Sequence, residues 1–237
     1  MRPARLSHFL HKWLALFVGA QAIGWIVSGL YMVAVDIDFI HGDTLVRNLV
    51  SAPPRASTWF SLEKTRARYG AIQSVKLKGL PGFAHPLYEL QMPDSVVLLD
   101  ATTGTAISPL GRDRVAMLAG RYFAGTADLV DLELLFGQPP LEIQGRSLPL
   151  WRARFDDWHQ TTLYIHPDSG ELVTRRHRLW RWFDALWMVH IMDYETRTDA
   201  NNGLLRFASV AGLVFAGSGL WLLWFSFRFR RRARRQA

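Results

Sequence analysis

The chain of 237 residues contains no cysteine. Disulfides, thiolate metal ligands, iron–sulfur clusters and covalently attached c-type haem are therefore excluded, because each of them needs cysteine sulfur. The sequence also lacks a P-loop, a dinucleotide-binding glycine fingerprint and an HExxH zinc motif. These absences leave no catalytic residue and no metal-ion site to assign, and they do not favour a self-sufficient enzyme.

Charge is missing from two long segments. Residues 13–35 and residues 207–227 contain no charged side chain. A helix rises about 1.5 Å per residue, so each run is long enough to cross a hydrocarbon core of about 30 Å. We therefore expect two transmembrane helices, at residues 13–35 and 204–227. The first is expected to be an uncleaved anchor, because its apolar run exceeds the roughly 7–15 residues of a signal peptide.

The excess positive charge lies at the two ends of the chain. Residues 1–12 and 228–237 carry nine basic and no acidic side chains, whereas residues 36–206 carry all 20 acidic and 19 basic ones. The positive-inside rule predicts a cytoplasmic basic N-terminus (1–12), a cytoplasmic arginine-rich tail (228–237) and a periplasmic central region in a bacterial inner membrane. Because the tail adjoins a span, anionic lipid is its expected partner and nucleic acid is not.

The central region, residues 36–178, shows the same pattern twice. Helices are predicted at residues 57–69 and 112–123, and strands at 74–78, 86–92, 95–100, 150–155 and 161–166. The first helix is expected to be capped by Ser57 or Thr58. Gly104 and Gly170 occupy matching turns 66 residues apart, which indicates an internal repeat. The predicted fold is an α+β membrane protein with two helix-plus-antiparallel-sheet units between its spans.

Residues 179–198 join this region to the second span and are rich in tryptophan. Such rings favour the headgroup region, so we expect an interfacial aromatic helix. Each span also carries a small residue at every fourth position, at Ala20, Gly24 and Ser28 and at Ala208, Gly212 and Ala216. These faces allow close helix packing against the other span, a second copy in a homodimer or a membrane or periplasmic partner protein. Gln21 is expected to face the other span.

Several stretches resemble the PepSY-associated transmembrane proteins, in which PepSY units lie between membrane helices. They are residues 11–16 (HKWLAL), 28–30 (SGL), 186–194 (LWMVHIMDY) and 218–221 (SGLW), together with Asp-x-x-x-Gly turns after short strands. The resemblance covers most of the chain and implies two PepSY-like units in the periplasmic region. Larger relatives with four spans look like haem-containing reductases of ferric siderophores. This chain has no flavin or nicotinamide module, so a similar role would need a partner reductase.

Haem in a cysteine-free membrane protein would take histidine or methionine as axial ligands. His41 and His190 are both expected near the outer membrane face, where they could bind b-type haem, and Asp193 could accept the ring proton of His190 and so orient the imidazole. His11 could be a ligand at the inner face. The alternatives are that His190 is an interfacial aromatic residue or contacts a partner, and that His41 is a turn residue.

Two functions are therefore expected. The first is a membrane component of an electron-transfer or iron-reduction system, with b-type haem at the periplasmic face. The second is a non-enzymatic interaction module, anchored by two spans, that binds a peptide, a protein or a membrane partner.

Overall fold

The computed structural model describes residues 3–49, 56 and 58–233, with side chains at 12–13, 15–49, 56, 58–217 and 219–220. In chain order the main elements are α1 (Pro3–Ala34), α2 (Ile37–His41), α3 (Leu62–Tyr69), β1 (Ser74–Lys78), β2 (Leu87–Gln91), β3 (Val96–Asp100), α4 (Arg112–Tyr122), β4 (Leu129–Leu135), β5 (Leu150–Phe155), β6 (Thr162–Ile165), β7 (Leu172–Arg176), α5 (Arg178–Ile191) and α6 (Gly203–Ala233). Short 3-10 turns lie at Asp43–Leu45 and Leu141–Ile143. The chain divides into a helical unit (residues 1–36 and 182–237) and a sheet unit (residues 37–181).

The helical unit contains one described helix that is long and apolar enough to cross a membrane, at Ala15–Ala34 within α1. Its large apolar side chains are mostly exposed, including Ile26 and Val33, as expected for a surface that meets lipid. In α6 the apolar stretch among the described residues is Gly203–Gly217, which is shorter than a span. The remainder of the expected span 204–227 has side chains outside the described residues, apart from residues 219 and 220.

The first half of the sheet unit is α3 followed by the antiparallel sheet β1-β2-β3. The cap of α3 is Ser61, whose hydroxyl accepts hydrogen bonds from the backbone N–H groups of Glu63 and Lys64. The prediction that Thr58 or Ser57 begins this helix is therefore wrong for Thr58, and Ser57 lies outside the described residues. The three strands agree with the predicted ones to within one residue at each end.

The second half is α4 followed by the antiparallel sheet β4-β5-β6-β7. Strand β4 was not predicted, and a register shift between Leu129 and Asp131 interrupts its alternation. Along β5, Trp151, Ala153 and Phe155 are buried in the core that includes α4. The alternate residues Arg152 and Arg154 lie on the opposite, outer face, because successive strand side chains point to opposite sides.

The expected repeat has a structural counterpart in the two turns that follow β3 and β6. The bridge between Leu99 and Ala106 matches the pair Ile165 and Leu172, each partner being 66 residues further along the chain. In the first turn the Asp100 carboxylate accepts hydrogen bonds from two backbone N–H groups, and in the second the His166 Nδ1 atom does the same. Two different side chains therefore stabilise equivalent turns.

The main core lies between α4 and one face of each sheet. Its fully buried members include Leu98 from β3, Leu118 from α4 and Leu163 from β6. A second cluster, around Leu90 and Leu99, fills the other face of the first sheet. The α+β class predicted from the sequence is thus confirmed, with two antiparallel sheets and their helices.

Candidate functional site

Charged and polar residues cross the outer face of the four-stranded sheet in two rows. The pairing aligns Glu133, Arg152 and Tyr164 in one row and Asp131, Arg154 and Thr162 in the other. Arg152 Nη2 lies 2.5 Å from Glu133 Oε2, and Arg154 Nε donates to Asp131 Oδ2 at 2.9 Å. Each guanidinium group is thus held from the β4 side by a carboxylate.

A third arginine, Arg181 in the first turn of α5, lies beside the same face. Its Nε donates to Glu142 Oε2 at 2.7 Å and its Nη2 donates to the Thr162 hydroxyl at 3.0 Å. The Tyr164 hydroxyl donates to the other Glu142 oxygen at 2.6 Å. Burial and this bond to a carboxylate both raise the pKa of Tyr164, so the phenol stays protonated. The segment around Glu142 is thereby fixed over one side of the sheet.

These side chains surround an open hollow of about 530 Å³, which we call the arginine basin. Its lining consists of Val130, Pro140, Glu142, Arg152, Arg154, Phe155, Asp156, Gln160, Thr162 and Arg181. The volume falls within the range of about 300–1,000 Å³ that is usual for small-ligand sites.

Two of the arginines keep hydrogen-bond donors that no protein group uses. The Nε atom of Arg152 is buried and has no partner. Arg154 bonds through Nε, and within the described residues its Nη nitrogens make no hydrogen bond. A buried donor without an acceptor is costly, at about 1–3 kcal/mol. The Nη groups of Arg154, whose side chain is about half exposed, are therefore available to an acceptor that the chain itself does not supply.

The helical unit contains the second candidate site, at the C-terminal end of α5. His190 Nδ1 lies 2.8 Å from the hydroxyl of Ser28, which is fully buried. The Ser28 hydroxyl has a single proton, and it lies 2.7 Å from the carbonyl oxygen of Gly24, which can only accept. We therefore assign the imidazole proton to Nδ1, which donates to Ser28. Nε2 makes no hydrogen bond to any described residue.

The surroundings of His190 hold the ring in place. The Trp187 ring is nearly parallel to it, with centroids 6.4 Å apart and an interplanar angle of 15°. Trp25 Nε1 donates to the His190 carbonyl oxygen at 2.8 Å, and Gln21 Nε2 donates to the Val189 carbonyl oxygen at 3.4 Å. The prediction that Gln21 faces the second span thus needs correction, because its hydrogen bond is to the last turn of α5.

The small-residue face of α1 also contacts α5. A Cβ atom added at Gly24 would lie 3.4 Å from Val189, and Ser28 contacts His190. In α6, Ala208 is buried, whereas a Cβ atom at Gly212 would meet no described atom within 4 Å. The small-residue face of α1 is therefore packed against α5, whereas that of α6 is open at Gly212 among the described residues.

Asp193 is placed differently from the expectation. Its carboxylate accepts hydrogen bonds from the Thr196 hydroxyl and from the backbone N–H groups of Glu195, Thr196, Thr198 and Asp199. These bonds lower the pKa of Asp193, the Thr196 hydroxyl contributing most. The position at the His190 ring that was expected for Asp193 is taken by Ser28. Asp193 instead organises the loop between α5 and α6.

The other expected histidines occupy separate surroundings. His41 ends α2 in the sheet unit and is exposed, and its carbonyl oxygen accepts a hydrogen bond from Arg175 Nε at 2.9 Å. It lines a cavity of about 230 Å³ together with Trp180 and residues of β7. His190 belongs to the helical unit. The side chain of His11 lies outside the described residues.

The sheet unit holds two further histidines that sequence patterns did not single out, of which His177 is buried and His159 is half-buried. The His159 and His177 rings are 6.4 Å apart, and the Nδ1 atom of each is buried without a hydrogen-bond partner. His177 Nε2 lies 3.0 Å from the Ile40 carbonyl oxygen, and burial lowers the pKa of His177. Among the described residues there is no group of three or more His, Cys, Asp or Glu side chains that could hold a metal ion.

Comparison with known proteins adds no relative, since no family model, no curated protein and no solved structure matches the chain. The candidate sites are therefore defined by their geometry. The arginine basin was missed at the level of sequence, although two signals were present. Arg152 and Arg154 alternate along a predicted strand, and Asp131 and Glu133 alternate with the same spacing.

Proposed function

We propose that the protein is a membrane-anchored binding module of a bacterial inner membrane. In this proposal α1 crosses the membrane and the sheet unit, residues 37–181, binds a ligand or a partner on its periplasmic side. The observation that carries the proposal is the arginine basin, a hollow of about 530 Å³ with unused hydrogen-bond donors. The PepSY-like character of the two sheet repeats is part of the same proposal.

A substitution that fills the hollow tests whether the arginine basin binds a ligand. Val130 lines it and is 60% exposed on β4, so Val130→Trp should occupy the hollow at little cost to the fold. Leu77, on β1 in the other sheet and 43% exposed, provides the matched control Leu77→Trp. Thermal unfolding of the detergent-purified chain would be screened against peptides and periplasmic small molecules. Ligands should raise the midpoint of the wild type and of Leu77→Trp, but not that of Val130→Trp. If no compound shows this pattern, the basin is not a ligand site.

The membrane arrangement is a proposal of two spans, residues 13–35 and 204–227, with both termini in the cytoplasm. The exposed apolar side chains of α1 and the arginine-rich tail support it. Alkaline phosphatase is active only outside the cytoplasm. A fusion after residue 237 should be inactive, whereas an insertion at the exposed turn around Gly137 should be active. An active C-terminal fusion would contradict the arrangement.

Partners within the bilayer are part of the same proposal. Gly212 keeps open space at its Cβ position among the described residues, so this part of α6 could accept a helix of another subunit or of a second copy.

A second candidate function is favoured by the hydrogen bond of His190. A histidine that donates its Nδ1 proton to a buried oxygen can bind an iron or other metal through Nε2. The hydrogen bond at Nδ1, here to Ser28, fixes the orientation of the ring. This fits His190 as an axial ligand of b-type haem, whereas the roles of His41 as a ligand and of His11 as a ligand at the inner face stay predictions. Haem would supply one-electron transfer, in a chain that depends on a partner reductase.

The absorption spectrum of the purified protein tests this candidate. Protein expressed with ample haem should show a Soret band that shifts on reduction with dithionite. His190→Ala should abolish the band, whereas His85→Ala, at an exposed position in the β1–β2 connection, should leave it unchanged. Ser28→Ala should leave the band present but alter its position or the reduction potential, because the ring loses its orienting partner. A colourless wild-type protein would exclude haem.

A further inference from the structure

We propose that the arginine basin recognises a carboxylate group on its ligand, through the Nη nitrogens of Arg154, which lies beside Arg152 on β5. This inference rests on the proposed binding function and names the chemistry that the site selects. A planar carboxylate accepts parallel N–H···O bonds from guanidinium groups, and such charge-assisted pairs are shorter and stronger than neutral hydrogen bonds.

The two arginines are positioned to act together. They occupy alternate positions on β5 and therefore project from the same face of the sheet. Each is oriented by a carboxylate on β4, because Arg152 bonds to Glu133 and Arg154 bonds to Asp131. These bonds restrict the rotamers of two long side chains before a ligand arrives, which lowers the entropy lost on binding.

Arg181 has a different part in the basin. Its Nε, Nη1 and Nη2 atoms all donate to protein oxygens, those of Glu142, Gln160 and Thr162. Four of its five N–H groups are therefore occupied, and its main part is to shape the wall. The contrast with Arg154 assigns recognition to that strand arginine.

The charges around the basin favour one carboxylate over a phosphate dianion. Asp131, Glu133 and Glu142 each pair with one of the three arginines, and Asp156 adds a further negative charge to the lining. Three arginines thus face four carboxylates, so the site has free donors but a small net negative charge. A doubly charged ligand would meet about twice the Coulomb repulsion that a single carboxylate meets.

The test uses two peptides that differ at one group. N-acetyl-trialanine carries a free C-terminal carboxylate, and N-acetyl-trialanine amide replaces it with a neutral amide. Binding to the detergent-purified full-length chain would be measured by isothermal titration calorimetry. The carboxylate peptide should bind at least tenfold more tightly than the amide. Inorganic phosphate at equal concentration should compete poorly, and effective competition by phosphate would overturn the choice of carboxylate.

Substitutions inside and outside the arginine basin test whether the carboxylate peptide binds there. Arg154→Gln should reduce the affinity for the carboxylate peptide about tenfold or more, and Arg154→Lys should recover only part of it, because lysine lacks the planar fork. Arg121→Gln, at an exposed position on α4, is the matched control and should bind like the wild type. Equal binding of the two peptides, or unchanged binding by Arg154→Gln, would refute the inference.

The experiment separates this inference from the binding function itself. If ligands without a carboxylate protect the wild type and not Val130→Trp, the basin binds ligands but not through carboxylate recognition. If no ligand responds to Val130→Trp, both proposals fail.

Discussion

The turn after β6 allows a quantitative test of core packing, through substitution of Gly170 by alanine. Gly170 has φ +67°, and a Cβ atom there would lie 2.7 Å from Leu80 Cδ1, 3.0 Å from Leu110 Cδ1 and 3.3 Å from Leu118 Cδ1. All three leucines are buried. The substitution therefore combines two penalties, one from the left-handed backbone and one from crowding of the core.

Gly137 separates the two penalties. It lies just beyond β4 with φ +79°, yet a Cβ atom there would meet nothing within 4 Å. An L-residue at such a positive φ costs about 1–2 kcal/mol, so Gly137→Ala should cost about that much. Gly170→Ala should cost the same amount plus about 1–3 kcal/mol for overpacking.

The difference would be measured between the thermal unfolding midpoints of the two variants, with near-ultraviolet circular dichroism as the probe of unfolding. For a chain of this size 1 kcal/mol corresponds to about 2–4 °C, so Gly170→Ala should unfold about 2–12 °C below Gly137→Ala. Equal midpoints would show that the leucines move aside freely, and the close packing inferred around Gly170 would be wrong.

Three further substitutions have expected outcomes. The pKa of Asp193 is lower in the folded chain, so the unfolded chain binds this proton more readily and stability is lost as the pH falls below about 4. In Asp193→Asn the thermal unfolding midpoint should therefore change less between pH 5 and pH 3 than it does in the wild type. The lowered pKa of His177 likewise makes stability fall as the pH drops below about 6.5. In His177→Gln the unfolding midpoint should therefore change less between pH 7 and pH 5 than it does in the wild type. Glu142→Gln weakens a partly exposed ion pair with Arg181 and should cost about 1–2 kcal/mol in chemical denaturation, whereas Glu63→Gln on the exposed surface of α3 should cost less. A pH profile identical to that of the wild type would refute either titration argument.

Local patterns predicted most of the sheet unit. Short alternating or apolar runs bounded by turn residues located β1, β2, β3, β5 and β6, although β2 and β6 are buried on both faces. Strand β4 was missed although Asp131 and Glu133 alternate with leucines, because the register shift after Leu129 leaves only a short alternating run. The cap of α3 was misplaced because Thr58 and Ser61 are both good capping residues, and only the packed structure selects between them.

The candidate sites were less predictable because they depend on pairing between distant segments. The sequence identified His190 as a candidate, but it suggested Asp193 as its partner on grounds of proximity along the chain. The structure supplies Ser28 instead, 162 residues away. The arginine basin likewise exists only once the register of β4 and β5 brings Asp131 and Glu133 beside the arginines.

The end of α5 has a consequence for how the helical unit is assembled. Its last three residues present carbonyl groups that no further helical turn can satisfy, and these accept from Gln21, Trp25 and Asn202 in succession. The terminus of one helix is thus capped by side chains from two distant segments. Loss of any one donor should fray α5 at the turn that carries His190, so mutations far along the chain would change the orientation of that ring without touching it.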